Sequence, residues 1–341
     1  MSVVTTTKRG RGLIVATVAV MVCAGAAAPA TAQEPPRAQA VSTVFFGDSH
    51  TADFGVAPIH GAWDLKEYFC FRSENNYPVV AVRELAEQGT TLDVASDRSC
   101  GGALIEHFWT TQQLPQNQSK PPQQEALGEE TGLVVGSLGG NTLGFAEVLK
   151  QCSQRLRDEG EALPVDPVDP DDPADQCAAF FTAGAGAQWL ESRYQVVRDD
   201  LRTLFARIDE LSPEAEVVLV GYPRIVPADI VKCQTPAPGQ GDTPLGDIPT
   251  DAMPVFDDLQ RRLNDLMRAE TTKAQVEFVD LYVITGDNTA CDGDDRGIGG
   301  LFELSEVKFL AKPLPWFLHP NTHGRDIQAH HVATTIRHLL G

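Results

Sequence analysis

Four short, widely separated segments carry residue types that act together in acyl transfer. Gly47-Asp48-Ser49-His50 follows the apolar run Val44-Phe45-Phe46, Gly101-Gly102 follows Cys100, Gly139-Gly140-Asn141 comes after Leu133-Val134-Val135, and Trp316-Phe317-Leu318-His319-Pro320 lies near the C-terminus. A serine hydroxyl such as that of Ser49 becomes a useful nucleophile only when a base takes its proton during attack. His319 is the candidate base, because the order of such residues along a chain varies between folds while their spatial relation does not. The tetrahedral intermediate carries a negative oxygen that must meet donors already in place. The Ser49 amide, the Gly102 amide and the Asn141 side-chain amide are the candidate oxyanion donors, and glycine at 102 lets the backbone approach the substrate. Either glycine pair alone is as well explained by an ordinary turn; together with Ser49 and His319 they point to ester hydrolysis.

Competing histidines are weaker candidates. His323 stands four residues after His319, His330-His331 fall in the last predicted helix, and His60 and His107 read as loop or pocket residues. No zinc site is expected, since the neighbouring acid Asp326 makes no ligand motif with these histidines and no two cysteines form a CxxC pair. No cofactor is implied. Phe69, Trp109 and Phe145 are candidates for an acyl pocket, with the core as the plainer alternative.

The elements that must position these residues alternate between strand and helix. Apolar runs and periodicity predict strands over 43–46, 91–95, 132–138, 216–221 and 276–283, and helices over 77–88, 145–159, 187–211 and 324–340. This alternation predicts a three-layer α/β/α sandwich around a parallel sheet. In such sheets ligands bind beyond the C-terminal strand ends, and three of the four segments directly follow predicted strands. Two stretches break the pattern. The Gln- and Pro-rich segment 114–130 is expected to be a surface loop near the site, and the acidic segment 158–176, containing Asp166-Pro167-Val168-Asp169-Pro170-Asp171-Asp172-Pro173, a solvated insertion without a calcium-loop pattern.

The first 32 residues have the anatomy of an export signal: Lys8, Arg9 and Arg11, an apolar stretch from Leu13 to Ala28, and small residues at Ala30-Thr31-Ala32. We therefore expect a signal peptide over 1–32, a flexible mature N-terminus over 33–42 and a single domain over 43–341, secreted, monomeric and without stable membrane insertion. The formal net charge of −20 disfavours nucleic acid and anionic lipid as partners. A small-molecule or lipid ester is the expected substrate. Without Cys23 the cysteines are Cys70, Cys100, Cys152, Cys177, Cys233 and Cys291, an even set suited to an oxidising compartment. Their spacing does not choose among the possible pairings; bridges between sequence neighbours are the expectation carried forward.

From about Thr43 to the C-terminus the chain resembles the SGNH, or GDSL-type, hydrolases, and especially secreted actinobacterial esterases and lipases with three disulfides. Gly47-Asp48-Ser49 resembles the first block of that family, Gly102 the second, Gly140-Asn141 the third and His319-Pro320 the fifth. Cys70-Phe71-Arg72-Ser73 leading to Tyr77-Pro78, Gly144-Phe145-Ala146 and Gly221-Tyr222-Pro223-Arg224 add to the likeness. The resemblance implies a flavodoxin-like fold, a serine carboxylester hydrolase with Ser49 as nucleophile and His319 as base, and sequential disulfides Cys70–Cys100, Cys152–Cys177 and Cys233–Cys291. Most relatives carry aspartate three residues before the histidine, where this chain has Trp316. The likeness to some secreted relatives implies that the Trp316 backbone carbonyl orients the imidazole, with no role for its indole. Thr142 also stands where aspartate is common, and His50 where leucine or tyrosine is usual. A polysaccharide O-acetylesterase or acyltransferase on the same site, and a catalytically silent envelope-binding protein, are the alternatives.

Overall fold

The computed structural model describes residues 40–158, 163, 165–236, 241–309 and 311–341. The export signal expected over 1–32 and residues 33–39 of the segment expected to be flexible lie outside the described residues, while Val41 and Ser42 at its end already belong to the first strand. In chain order the strands are β1 (Val41–Gly47), β2 (Leu92–Asp97), β3 (Gln112–Leu114), β4 (Gln118–Lys120), β5 (Leu133–Ser137), β6 (Glu216–Val220), β7 (Glu277–Val279), β8 (Leu304–Phe309) and β9 (Lys312–Pro315). Five of them form one parallel sheet in the order β2-β1-β5-β6-β7. Counted within the sheet this is the 2-1-3-4-5 order of flavodoxin-like folds, with its switch point between β1 and β5. Pairing of Gly47 with Ser137 ends these two strands side by side, so the chains leaving them start out adjacent.

Strand alternation explains the layers. Successive side chains of a strand point to opposite faces, and Phe45 and Phe46 accordingly belong to different cores. Phe45, Leu133, Val135, Val218 and Val220 meet the helices Tyr77–Glu87 and Thr322–Leu340 on one face. Phe46, Val134 and Leu219 meet the helices Gly184–Leu211 and Met253–Ala274 on the other. Both phenylalanines are fully buried, each contributing about 1.5–3 kcal/mol relative to exposure.

Three disulfides pair sequence neighbours: Cys70–Cys100, Cys152–Cys177 and Cys233–Cys291, with sequence separations of 30, 25 and 58. The chain-entropy model assigns loops of such lengths about 3–4 kcal/mol each.

Several elements depart from the sequence expectation. The helix expected over 145–159 ends at Cys152, because Ser153 is extended and its hydroxyl turns to Asp247, where it also takes the Leu156 N–H; a second short helix, Gln154–Asp158, then starts. The strand expected over 276–283 is confined to Glu277–Val279, after which Asp280 caps the short helix Leu281–Ile284 by accepting the Val283 N–H. The Met253–Ala274 helix was not anticipated, although Phe256, Leu259, Leu263 and Met267 are buried at helical spacing.

Segment 114–130 is more than a surface loop. It forms β4 and part of the β3–β4 hairpin, then sends buried Gln123 inward, where its amide donates to the Gly47 carbonyl and its oxygen accepts the Gly47 N–H. From Val165 to Pro173 the acidic insertion is irregular, as its prolines require, but it is tied down rather than simply solvated. Lys150 donates to the Leu163 and Val165 carbonyls, and the Gln151 side chain bonds the backbone of Asp169 and Asp172. Among the described residues no helix is long and apolar enough to cross a membrane.

Candidate active site

The switch point of the sheet gathers the four segments singled out in the sequence. β1 runs into the short helix α1 (Ser49–Ala52), whose N-cap is Asp48: its carboxylate accepts the His50 N–H at 2.9 Å. Capping of this kind satisfies an otherwise orphaned helix donor. It also fixes Ser49 at the first helical position, with its amide free of any backbone partner among the described residues.

After β2, the Cys70–Cys100 bridge and a Gly101 N–H bond to the Cys70 carbonyl (2.8 Å) anchor the second segment. Gly102 has φ of +72°, a conformation that strains residues with a Cβ. Buried Gln112 holds the turn by donating to the Gly101 carbonyl at 2.8 Å. After β5, Gly139-Gly140-Asn141 turns into a short helix. Asn141 gives one amide hydrogen to the Ala103 carbonyl (3.1 Å), which leaves the second for a ligand. Thr142, in the place of the usual aspartate, accepts the Ile105 N–H at 2.8 Å, so a hydroxyl ties the second and third segments together.

His319 reaches the same point from the C-terminal part of the chain. Its Nε2 lies 2.7 Å from Ser49 Oγ, and its Nδ1 lies 2.9 Å from the Trp316 carbonyl and 3.2 Å from that of Phe317. A carbonyl can only accept, so Nδ1 carries the hydrogen and Nε2 presents its lone pair to the serine. The turn that achieves this is unusual. Phe317 and Leu318 both have positive φ (49° and 61°), and the His319 N–H closes the turn on the Trp316 carbonyl at 3.0 Å. Non-glycine residues in this region cost on the order of 1–3 kcal/mol each and persist where surrounding packing enforces them.

The Trp316 indole packs beside this turn. The ring is buried against Gly55 and Gly299, at either of which an added Cβ would stand 2.2–2.4 Å from it.

Burial sets the charge states. His319 is pushed down to about 4 by loss of solvent, with the Trp316 and Phe317 carbonyls pulling the other way, so its imidazole is neutral near pH 7. His50 is held well below its ordinary range by burial and by His319, whose ring centroid is 4.9 Å away. Asp48 is raised to about 7 by burial, against the lowering effect of hydrogen bonds from Tyr222 and the His50 amide.

Next to the serine lies a cavity of about 530 Å³, lined by Phe54, Phe69, Phe71, Leu104, Phe145, Leu149, Phe309 and Leu314, with Leu163 and Val165 of the insertion. Phe69 and Phe145 thus reach the cavity wall. Trp109 does not; it packs under the Arg207 guanidinium instead. The remaining histidines stay apart from Ser49. His107 accepts the Leu104 N–H, His330 pairs with Glu84, and His323 is exposed on the last helix.

Sequence reasoning gave no role to Tyr222, Gln123 or Gln112. Tyr222 sits in a segment noted for its likeness alone, while the two glutamines belong to a polar stretch with no pattern to mark which of them turn inward.

A model of the GDSL-like lipase/acylhydrolase family matches residues 45–327. An esterase of Streptomyces scabiei is 52% identical over 97% of this chain and 95% of its own length. Lipase 2 of Streptomyces coelicolor is 28% identical over 89% of each chain. Among solved structures, phospholipase A1 of Streptomyces albidoflavus NA297 superposes with a TM-score of 0.58 at 16% identity, covering 87% of this chain and 99% of that one. The extracellular lipase of Streptomyces rimosus gives a TM-score of 0.57 at 18% identity, again over 87% of this chain and 99% of the other. These two likenesses speak for the fold.

Proposed function

The chain belongs to the GDSL-like lipase/acylhydrolase family and is an ester hydrolase, and on that premise we propose that it is a secreted serine carboxylester hydrolase working through an acyl-enzyme on Ser49. The 2.7 Å contact between Ser49 Oγ and an imidazole whose other nitrogen is committed to backbone carbonyls is the observation that carries this reading. Ser49 Oγ attacks the ester carbonyl carbon while His319 Nε2 takes its proton. The oxyanion is received by the Ser49 and Gly102 amides and the free Asn141 amide hydrogen. Collapse expels the alkoxide, which leaves as the alcohol with the proton from His319. Water, deprotonated by the same nitrogen, then attacks the acyl-enzyme and releases the carboxylic acid. Backbone dipoles replace a carboxylate in supporting the transient imidazolium.

The aromatic and aliphatic lining of the cavity favours a fatty acyl chain over an acetyl group, and therefore an esterase or lipase over an acetylesterase. Six cysteines joined in three bridges support action outside the cell, consistent with the proposed removal of residues 1–32 on export. The test is turnover of p-nitrophenyl esters of graded chain length by wild type and Ser49→Ala. Ser49→Ala is expected to lose about 10⁴- to 10⁶-fold in kcat while folding normally, and wild type to prefer butyrate or longer chains over acetate. Undiminished hydrolysis by Ser49→Ala would sink the mechanism, and a preference for acetate would sink the assignment of the cavity.

A further inference from the structure

We infer that Tyr222 is a positioning residue of the oxyanion site, a single side chain that sets the Asn141 loop against the Ser49 loop. The inference rests on the reading of Asn141 as an oxyanion donor. Tyr222 follows β6, the neighbour of β5, and its phenol is buried at the switch point. Its oxygen accepts the Gly140 N–H at 2.8 Å and its hydrogen goes to Asp48 Oδ2 at 2.5 Å. The two bonded residues immediately precede Asn141 and Ser49. A hydroxyl has one hydrogen and two lone pairs, so both bonds are made without competition.

Each end of the bridge is itself fixed. The second oxygen of Asp48 caps α1, where Ser49 is the first residue. At the other end the Tyr222 ring lies flush with the backbone of Gly140, where an added Cβ would stand 3.2–3.4 Å from ring and hydroxyl atoms. This close approach accounts for a glycine at 140. His50 meets the ring edge-on at a centroid distance of 4.7 Å, which restricts its tilt. Loss of the hydroxyl would leave the Gly140 N–H and a buried carboxylate oxygen without this partner, and the turn carrying Asn141 would be free to shift. Donors misplaced by fractions of an ångström fail the transition state while still permitting substrate to bind.

A role exercised through Asn141 has a signature that a general structural role lacks. Tyr222→Phe, Asn141→Ala and the double variant are compared for kcat on p-nitrophenyl butyrate, with melting curves to verify folding. Asn141→Ala is expected to lose about 100- to 1000-fold. Tyr222→Phe should lose at least about ten-fold alone, yet add less than about two-fold once Asn141 is absent, because it has nothing left to position. Multiplying losses would overturn the proposal, as would a Tyr222→Phe variant with wild-type turnover. An Asn141→Ala variant with wild-type turnover would overturn both this proposal and the oxyanion assignment beneath it. Should Tyr222→Phe fold poorly, Asp48→Asn keeps one oxygen for the helix cap and puts an NH2 donor where the phenol had its acceptor. Its loss must likewise vanish in the Asn141→Ala background, and a loss that persists there contradicts the proposal.

Discussion

The two sides of the cleft are held by different means. On the serine side, buried polar side chains do the holding: Asp48 caps α1, Gln123 bonds both backbone groups of Gly47, Tyr222 joins Asp48 to Gly140, and Thr142 and Gln112 bind the glycine loops. On the histidine side, backbone carbonyls orient the ring, in a turn with two positive φ angles seated by an apolar indole. In the proposed mechanism, a carbonyl in place of a carboxylate makes the base independent of any one side-chain charge. It also makes the base dependent on the shape of the turn, and hence on packing. Side-chain chemistry should therefore matter most on the serine side and side-chain volume on the histidine side.

Trp316→Ala should show the largest effect on stability, about 3–5 kcal/mol for a deleted buried aromatic, read by denaturant unfolding. Trp316→Phe, which keeps much of the volume and the same backbone carbonyl, should retain most activity. If the alanine variant were as stable and active as wild type, the turn would not need the indole. Gln123→Ala should be milder, about 1–3 kcal/mol, by orphaning the buried Gly47 donor and acceptor. An unchanged melting temperature would show that water replaces the amide without cost.

The smallest effect is expected from mild acid. His319 must be neutral to act, and its value of about 4 against an ordinary 6.5 means that protonation of this ring should not lower kcat/KM between pH 7 and pH 5, where only Asp48, raised to about 7 beside it, changes charge at the site. The unfolded chain takes this proton first, so the same shift lets stability decline as pH falls from 6.5 through about 4. An acid limb centred near 6.5 would mean that the ring is better solvated than its burial implies.

How much of this was legible in the sequence follows from the same division. Ser49, Gly102, Asn141 and His319 could be named as candidates because acyl transfer needs particular residue types and the first three segments follow strands of the sheet; the fold brings Ser49 Oγ and His319 Nε2 to 2.7 Å. The five parallel strands were readable from apolar runs such as Val44-Phe45-Phe46 and Leu133-Val134-Val135. Support was not. Gln123 and Gln112 look like any glutamine of a polar loop, and only the folded hairpin turns them inward. The close packing of the Trp316 indole against Gly55 and Gly299 was likewise invisible in the sequence. Local capping decided the misread boundaries: Ser153 and Asp280 each divert the backbone through a side-chain bond that periodicity does not register.

The account turns on a covalent acyl group at Ser49 formed with His319 as base. Its most direct test is mass spectrometry of the protein quenched in acid during turnover of a slow ester, compared with His319→Ala. One acyl group per chain is predicted, on the peptide containing Ser49, in wild type and not in the variant. Hydrolysis with no acyl group on that peptide, or with one attached elsewhere, would contradict it.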